Sequence, residues 1–421
     1  MRQFCTLCSA GLAIIMLTAC VPVSPLNSLS AAEPKEAAAA AQPLLAFDKP
    51  VTIVCLGDSV TGVYYHTGGR GAYPEMLELA LKRVHSKAQI KVINAGISGH
   101  TTANGLARLD ADVLSKKPDL VTISFGLNDV TRVSPEDYRK NLIETINRCR
   151  AINAQVVLCT PNAVINTGAR PQTKVAQYCE ILRQVGRELK APVCDQFLAG
   201  EAHRQRDPWG WRLTLSDEIH PNMDGHKLMA EELCHTIAGK EASLADVGPL
   251  APALTKTVSL LKQNKPVRVL AMSPYDELIA PALKKLQENA QVEVTTWKTA
   301  GKSLAELEKE ANETVRKFAP NLVLLTVPRD AATTTDEEYV RAATWIMNWS
   351  LSFGHQEWDC VVVHPNVTAP ESPGPRDDLL KQLIRAQHLH FIDRQAGNKE
   401  SAVELFNQWF AAAYAEASKA P

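Results

Sequence analysis

From residue 49 to residue 239, short β-branched runs alternate with longer helix-patterned segments, and this alternation leaves few folds open. The first run, Val51-Thr52-Ile53-Val54-Cys55-Leu56, leads into Gly57-Asp58-Ser59. Further strands are expected at 90–94, 120–125, 156–161 and 193–195. Helices are expected at 75–84, about 103–114, 135–151, 174–189 and 225–238, with Pro74 at a favoured first-turn position. Strands alternating with helices build a mostly parallel sheet covered on both faces, so the expected class is α/β. Ligands of such sheets bind outside the carboxyl ends of the strands, which is where Ser59 stands.

At 421 residues the chain exceeds one typical domain, and two are expected. A formal charge of −1 offers no basic excess for nucleic acid, and there is no acidic tail. The N-terminus reads as a targeting segment over residues 1–19. Arg2 is followed by a short apolar core at 10–16, too short to be a convincing membrane span, and then by Leu17-Thr18-Ala19-Cys20. This ending resembles the lipobox of bacterial lipoproteins, which implies export, cleavage before Cys20 and a lipid on its sulfur. The alternative is an ordinary secretory signal with a chance cysteine. The lipobox reading places the protein in the cell envelope, periplasmic or on the outer surface, with Cys20 its sole link to a membrane. Residues 20–48, rich in Ala, Pro and Ser, read as a flexible tether. Seven of the ten cysteines follow residue 20, without metal-type spacing. Cys55 and Cys159 lie in apolar runs and read as core, and the odd count leaves a free thiol or an intermolecular bridge.

Three successive strands end in polar or glycine-rich turns, bringing Ser59, Gly96 and Asn128 to one sheet edge. Asp217 and His220 arrive later, separated by two residues. A serine hydroxyl needs an adjacent base, which an imidazole supplies, and the imidazole needs an acceptor on its other nitrogen, a role open to Asp217. A tetrahedral intermediate needs donors, and the Ser59 and Gly96 N–H groups with the Asn128 amide form a candidate oxyanion hole.

The blocks Gly57-Asp58-Ser59, Asn94-Ala95-Gly96, Gly126-Leu127-Asn128-Asp129 and Asp217-Glu218-Ile219-His220-Pro221-Asn222 resemble those of the SGNH (GDSL-type) hydrolases, in that family's order. The resemblance covers residues 49–239. It implies a three-layer, flavodoxin-like α/β/α domain that hydrolyses acyl esters without a cofactor. By matching positions it assigns Ser59 as nucleophile, Gly96 and Asn128 to the oxyanion hole, and Asp217 and His220 to the rest of the triad. Val60 departs from the name-giving leucine, an apolar exchange.

Neighbouring residues carry competing readings. Asp129 either positions its turn or caps the following helix, and Asp58 reads as structural. His226 is expected to pack at its helix start. His66 and His100 lie on loops, either solvated or touching substrate. Trp209 and Trp211 form either a stacking wall for a sugar ring or part of the packing at core or rim. The 64–71 insert is expected to shape the pocket mouth. Nothing presents paired ligands at zinc spacing, so no metal site is expected.

After a linker at 240–265, the pattern returns over 266–417. Val267 set against Val51 puts Tyr275 in the nucleophile's place. Residues 320–330 parallel 118–129, residues 359–366 parallel 155–162, and a last helix is expected at 402–415. The echo reads as a shorter, degenerate SGNH-like domain without catalysis, the alternative being an unrelated α/β domain. The functional expectation is a serine esterase acting through an acyl-serine on short acyl esters of small molecules or polysaccharides, with O-acetyl carbohydrate favoured. A lysophospholipase or broad short-chain lipid esterase is the alternative enzyme. Acyl transfer uses the same residues, and a surface glycan-binding protein is the reading from another class.

Overall fold

The computed structural model describes residues 43–352 and 357–419. In the first half, β1 (Val51–Gly57), β2 (Ile90–Gly96), β3 (Leu120–Ser124), β4 (Gln155–Cys159) and β5 (Val193–Cys194) form a parallel sheet in the order β2-β1-β3-β4-β5. This is the expected α/β architecture. Strands β1 and β3 are buried along nearly their whole length, which is why they read as continuous apolar runs and not as alternating ones. The strand order reverses at β1. Right-handed crossovers therefore send helix Tyr73–Val84 and helix Pro135–Ala151 to opposite faces, and a crevice opens above the carboxyl ends of β1 and β3. Gly57 pairs with both Gly96 and Ser124, so the loops after β1, β2 and β3 start at one level.

Two expected boundaries move. Leu44, Leu45 and Phe47 pack on the first core, and the Leu44 N–H donates to Ile237 O at 2.8 Å, so residues 44–47 belong to the folded part and not to a tether running to 48. These apolar side chains have a surface to bury on. The linker also shrinks. Leu244 belongs to the first core, while helix Thr255–Lys262 packs on the second sheet and gives its Lys256 and Thr257 N–H groups to the Asp359 carboxylate at 3.1 and 2.7 Å. Helices Gln196–Arg206 and Pro208–Arg212 were not expected. The first buries only Gln196 and Phe197 and so has no apolar stripe to reveal it.

The second half forms its own parallel sheet from β6 (Val267–Met272), β7 (Val292–Trp297), β8 (Leu322–Leu325), β9 (Asp359–Val363) and β10 (His390–Ile392). Its order, β7-β6-β8-β9-β10, repeats that of the first sheet. The register repeats too: Val51 pairs with Ile90 and Ile53 with Leu120, as Val267 pairs with Val292 and Val269 with Leu322. A side-chain detail recurs with it. Asp119 Oδ2 accepts the Thr52 N–H at 2.9 Å, and Asn321 Oδ1 accepts the Arg268 N–H at 2.9 Å.

The helix after β6 corrects one expectation. Helix Tyr275–Leu286 starts with tyrosine, as does Tyr73–Val84, and the two share Glu, Ala, Leu and Lys at matching positions. Tyr275 is thus the counterpart of Tyr73, not of Ser59. In the second half the chain passes from strand to helix through Ser273-Pro274 alone, and residues 59–72 have no equivalent.

Candidate active site

Ser59 stands on a turn fixed by the residue before it. Asp58 Oδ1 accepts the Val60 N–H at 2.9 Å, and Asp58 O accepts those of Thr61 and Gly62 at 3.2 and 3.0 Å. Burial lifts the Asp58 carboxyl from 3.8 to about 6, against the opposing pull of that Val60 hydrogen bond. The turn lies directly against the end of β2. A Cβ on Gly96 would come within 2.2 Å of Gly62 N, so glycine is required there for the two backbones to approach.

Asp217 and His220 sit on a second tight turn, closed by an antiparallel bridge between Leu215 and Pro221. Asp217 Oδ1 accepts the Ile219 and His220 N–H groups at 2.8 and 2.7 Å. The other oxygen, Oδ2, lies 2.7 Å from His220 Nδ1, and His220 Nε2 lies 2.8 Å from Ser59 Oγ. Burial would raise the Asp217 carboxyl, but the His220 ring and these hydrogen bonds outweigh it and hold the group at about 2. An ionised carboxylate accepts only, so the imidazole carries its proton on Nδ1 and turns a bare Nε2 to the Ser59 hydroxyl.

The expected oxyanion donors reach the same edge, two of them engaged within the protein. The Gly96 N–H donates to Asn94 Oδ1 at 3.0 Å. The Asn128 amide donates to His100 O at 3.0 Å and to Asp58 Oδ2 at 3.3 Å. Its orientation is fixed by Arg170, whose Nη2 meets Asn128 Oδ1 at 3.3 Å while Nε donates to Leu127 O at 2.9 Å. A guanidinium has no acceptor, so the oxygen must face it and the amide N–H groups must face Asp58. An oxyanion is a stronger acceptor than a neutral amide oxygen and draws such donors away. Asn128→Ala is expected to lower kcat by about a hundred- to a thousandfold with little change in KM, measured on p-nitrophenyl acetate. An unchanged kcat would remove Asn128 from the hole.

His66 lies elsewhere than expected. It is 1% exposed, and its ring stacks on His220 with centroids 4.1 Å apart and planes 21° apart. Burial, with His220 beside it, holds His66 well below the usual imidazole range, and the ring is neutral. The insert folds inward through the 3-10 turn Tyr65–Thr67, where Thr67 Oγ1 donates to Tyr64 O at 3.0 Å. A residue expected at the mouth thus backs the candidate base.

Trp211 is buried with Ala163 and Leu215 beneath the Asp217 turn, with the Arg204 guanidinium over its ring at 5.3 Å, and it offers no open wall. Trp209 is 40% exposed. Asp129 positions its turn, while Ser134 caps the helix Pro135–Ala151 that follows. Asp129 is fully buried and accepts the Thr102 N–H at 2.9 Å, tying the β3 loop to the helix after β2. His100 Nδ1 accepts from Arg108 Nε at 3.2 Å. His226 packs in the core as expected, accepting the Tyr73 N–H at 3.1 Å. The seven cysteines beyond residue 43 are buried free thiols. Sequence reasoning missed Arg170 and Arg108, since neither lies in a motif that names its partner.

A serine, a histidine and an aspartate in hydrogen-bonded succession at the carboxyl edge of a parallel sheet have the arrangement of a serine hydrolase. Comparison with known proteins agrees: residues 55–228 match the GDSL-like lipase/acylhydrolase family. The chain is 35% identical over 180 residues to an arylesterase of Vibrio mimicus, covering 42% of this chain and 84% of that one. It is 27% identical over 172 residues to an acetylxylan esterase of Geobacillus stearothermophilus, covering 37% and 76%. It is 29% identical over 181 residues to thioesterase 1/protease 1/lysophospholipase L1 of Escherichia coli K12, covering 43% and 80%. The chain belongs to the GDSL-like lipase/acylhydrolase family and is a carboxylic ester hydrolase of that type.

Proposed function

We propose that Ser59, His220 and Asp217 hydrolyse short acyl esters through an acyl-serine, with O-acetyl groups on carbohydrate as the substrate class. The observation that carries the reading is the unbroken chain Asp217–His220–Ser59, 2.7 and 2.8 Å between its atoms. Ser59 Oγ attacks the ester carbonyl while its proton passes to His220 Nε2. Collapse of the tetrahedral intermediate breaks the bond to the alcohol, which leaves with that proton. Water then attacks the acyl-serine, gives a proton to His220, and regenerates Ser59 as the acid departs. The Ser59 and Gly96 N–H groups and the Asn128 amide hold the oxyanion in both halves of the cycle.

Similarity to an acetylxylan esterase and the exposure of Trp209 support the carbohydrate assignment. The lipobox-like ending at Cys20 supports an exported, lipid-anchored protein; Cys20 and residues 1–19 lie outside the described residues. Among the described residues no helix is long and apolar enough to cross a membrane. The second half is a degenerate copy of the first, a reading supported by the shared strand order, register and helix start, and the copy has no counterpart of residues 59–72, Ser59 among them.

The test is hydrolysis of p-nitrophenyl esters from acetate to octanoate, beside acetate release from acetylated xylan, by the chain from residue 21 onward. The expected result is the highest kcat/KM on acetate, together with acetate release from the polymer. A maximum at octanoate would turn the assignment to lipid esters, and a folded protein inert on every ester would turn it to glycan binding.

A further inference from the structure

The turn that carries His220 is held from outside its own half. Ser216 precedes Asp217 and donates its N–H to His220 O at 2.8 Å, so the placement of Ser216 sets that of the turn. Its carbonyl and hydroxyl are both taken by the second half. Asn348, on helix Asp336–Ser350, donates from Nδ2 to Ser216 O at 3.2 Å and to Ser216 Oγ at 3.0 Å. The Ser216 hydroxyl in turn donates to Asn348 Oδ1 at 3.2 Å. Gln387, just past helix Asp377–Ala386, donates from Nε2 to Ser216 Oγ at 2.9 Å and to Asn348 Oδ1 at 3.0 Å. Ser216, Asn348 and Gln387 are all at most 2% exposed.

The surroundings of this network are apolar: Leu213 inserts into the second half's core beside it. Adhesion between the halves is served by such burial and does not need three polar side chains. Every side-chain donor of the three residues is engaged, and Gln387 Oε1 alone among their polar atoms finds no partner; what such mutual hydrogen bonding adds is a single geometry. Helix Asp336–Ser350 reaches the site at two further points. Its Glu337 accepts from Arg212 Nε at 2.7 Å, and the helix packs on the 3-10 turn Tyr65–Thr67, whose His66 stacks on His220. Arg70, in the same insert, meets His390 Nε2 of β10 at 2.9 Å. One helix therefore braces the His220 ring from the backbone side and from the stacking side.

We propose that the second half positions the catalytic base. Asn348 and Gln387 are positioning residues that set the Asp217–His220 turn through Ser216, and turnover in the first half depends on them. The proposal rests on the reading of Ser59, His220 and Asp217 as the reacting groups.

Asn348→Leu keeps the side-chain volume and removes every amide hydrogen bond, and Ser216→Ala removes the hydroxyl while sparing the carbonyl. Phe410→Leu serves as the control for simple destabilisation. Phe410 is buried in the core on the opposite face of the second sheet. The readouts are kcat and KM on p-nitrophenyl acetate, the melting temperature, and the far-downfield proton resonance of the Asp217–His220 hydrogen bond. Asn348→Leu is expected to lower kcat by about ten- to a hundredfold, with KM within about twofold and the resonance shifted or lost. Ser216→Ala is expected to do the same to a smaller extent, about fivefold. Phe410→Leu is expected to lower the melting temperature and leave kcat and the resonance in place. A folded Asn348→Leu or Ser216→Ala with wild-type kcat and resonance overturns the positioning role and leaves the Ser59 reading intact. So does an equal fall of kcat in Phe410→Leu. Full activity in Ser59→Ala overturns both.

Discussion

Ser59→Ala is expected to lower turnover of p-nitrophenyl acetate by about a millionfold while leaving the protein folded. The two halves of this expectation have separate physical grounds. Ser59 Oγ is the atom 2.8 Å from His220 Nε2, so its removal leaves the base with no nucleophile to deprotonate. The oxyanion donors survive the change and preserve a small residual rate with water. The turn itself does not need the hydroxyl. It is held by the Asp58 carboxylate on Val60 and by the Asp58 carbonyl on Thr61 and Gly62, and the stacking of His66 on His220 is untouched. The melting temperature is therefore expected to stay at the wild-type value, and steady-state kinetics beside a thermal melt check both points. A folded Ser59→Ala with more than about 1% of wild-type kcat would place the nucleophile elsewhere.

The residues that were legible beforehand share a property: their chemistry is local in sequence. β1 and β3 are buried on both faces, so apolar runs without alternation announced them. Asp217 and His220 are separated by two residues on a turn that Asp217 itself closes, so their spacing already held their geometry. Three strands of the second sheet, β6, β8 and β9, were legible through their echo of the first. What escaped depends on contacts distant in sequence. Asn348 and Gln387 meet Ser216 from 132 and 171 residues away. Arg170 meets Asn128 from 42 residues away. His66 looked like a loop histidine because nothing in its neighbours announces that the insert folds inward. The position of Tyr275 was misread because counting along a strand cannot show where the chain leaves it, and only the helix that follows aligns it with Tyr73.

Asp217→Asn is expected to lower kcat near neutral pH by about ten-thousandfold while the turn keeps its shape. Asparagine retains one oxygen, which can go on accepting the Ile219 and His220 N–H groups as Oδ1 does now at 2.8 and 2.7 Å. Its other end is an amide nitrogen, which can only donate. Facing His220 Nδ1 at the 2.7 Å contact, it forces the ring proton onto Nε2, where it opposes the Ser59 hydroxyl. The geometry survives and the tautomer is wrong. Stability carries an independent sign. The folded-state value of Asp217, about 2, lies below its ordinary 3.8, so the carboxylate contributes stability that is fully present above 3.8 and is lost as the pH falls toward 2. The shift corresponds to about 2 kcal/mol, a contribution the asparagine variant never has. Urea unfolding should therefore show wild type losing stability relative to Asp217→Asn as the pH is taken from about 5 to about 2.5, reversing part of its advantage. Asp217→Ala, which abandons the turn as well, should be destabilised further at every pH. A kcat for Asp217→Asn within about tenfold of wild type would mean that His220 keeps its tautomer by other means, and the carboxylate would then be a structural clasp of the turn alone.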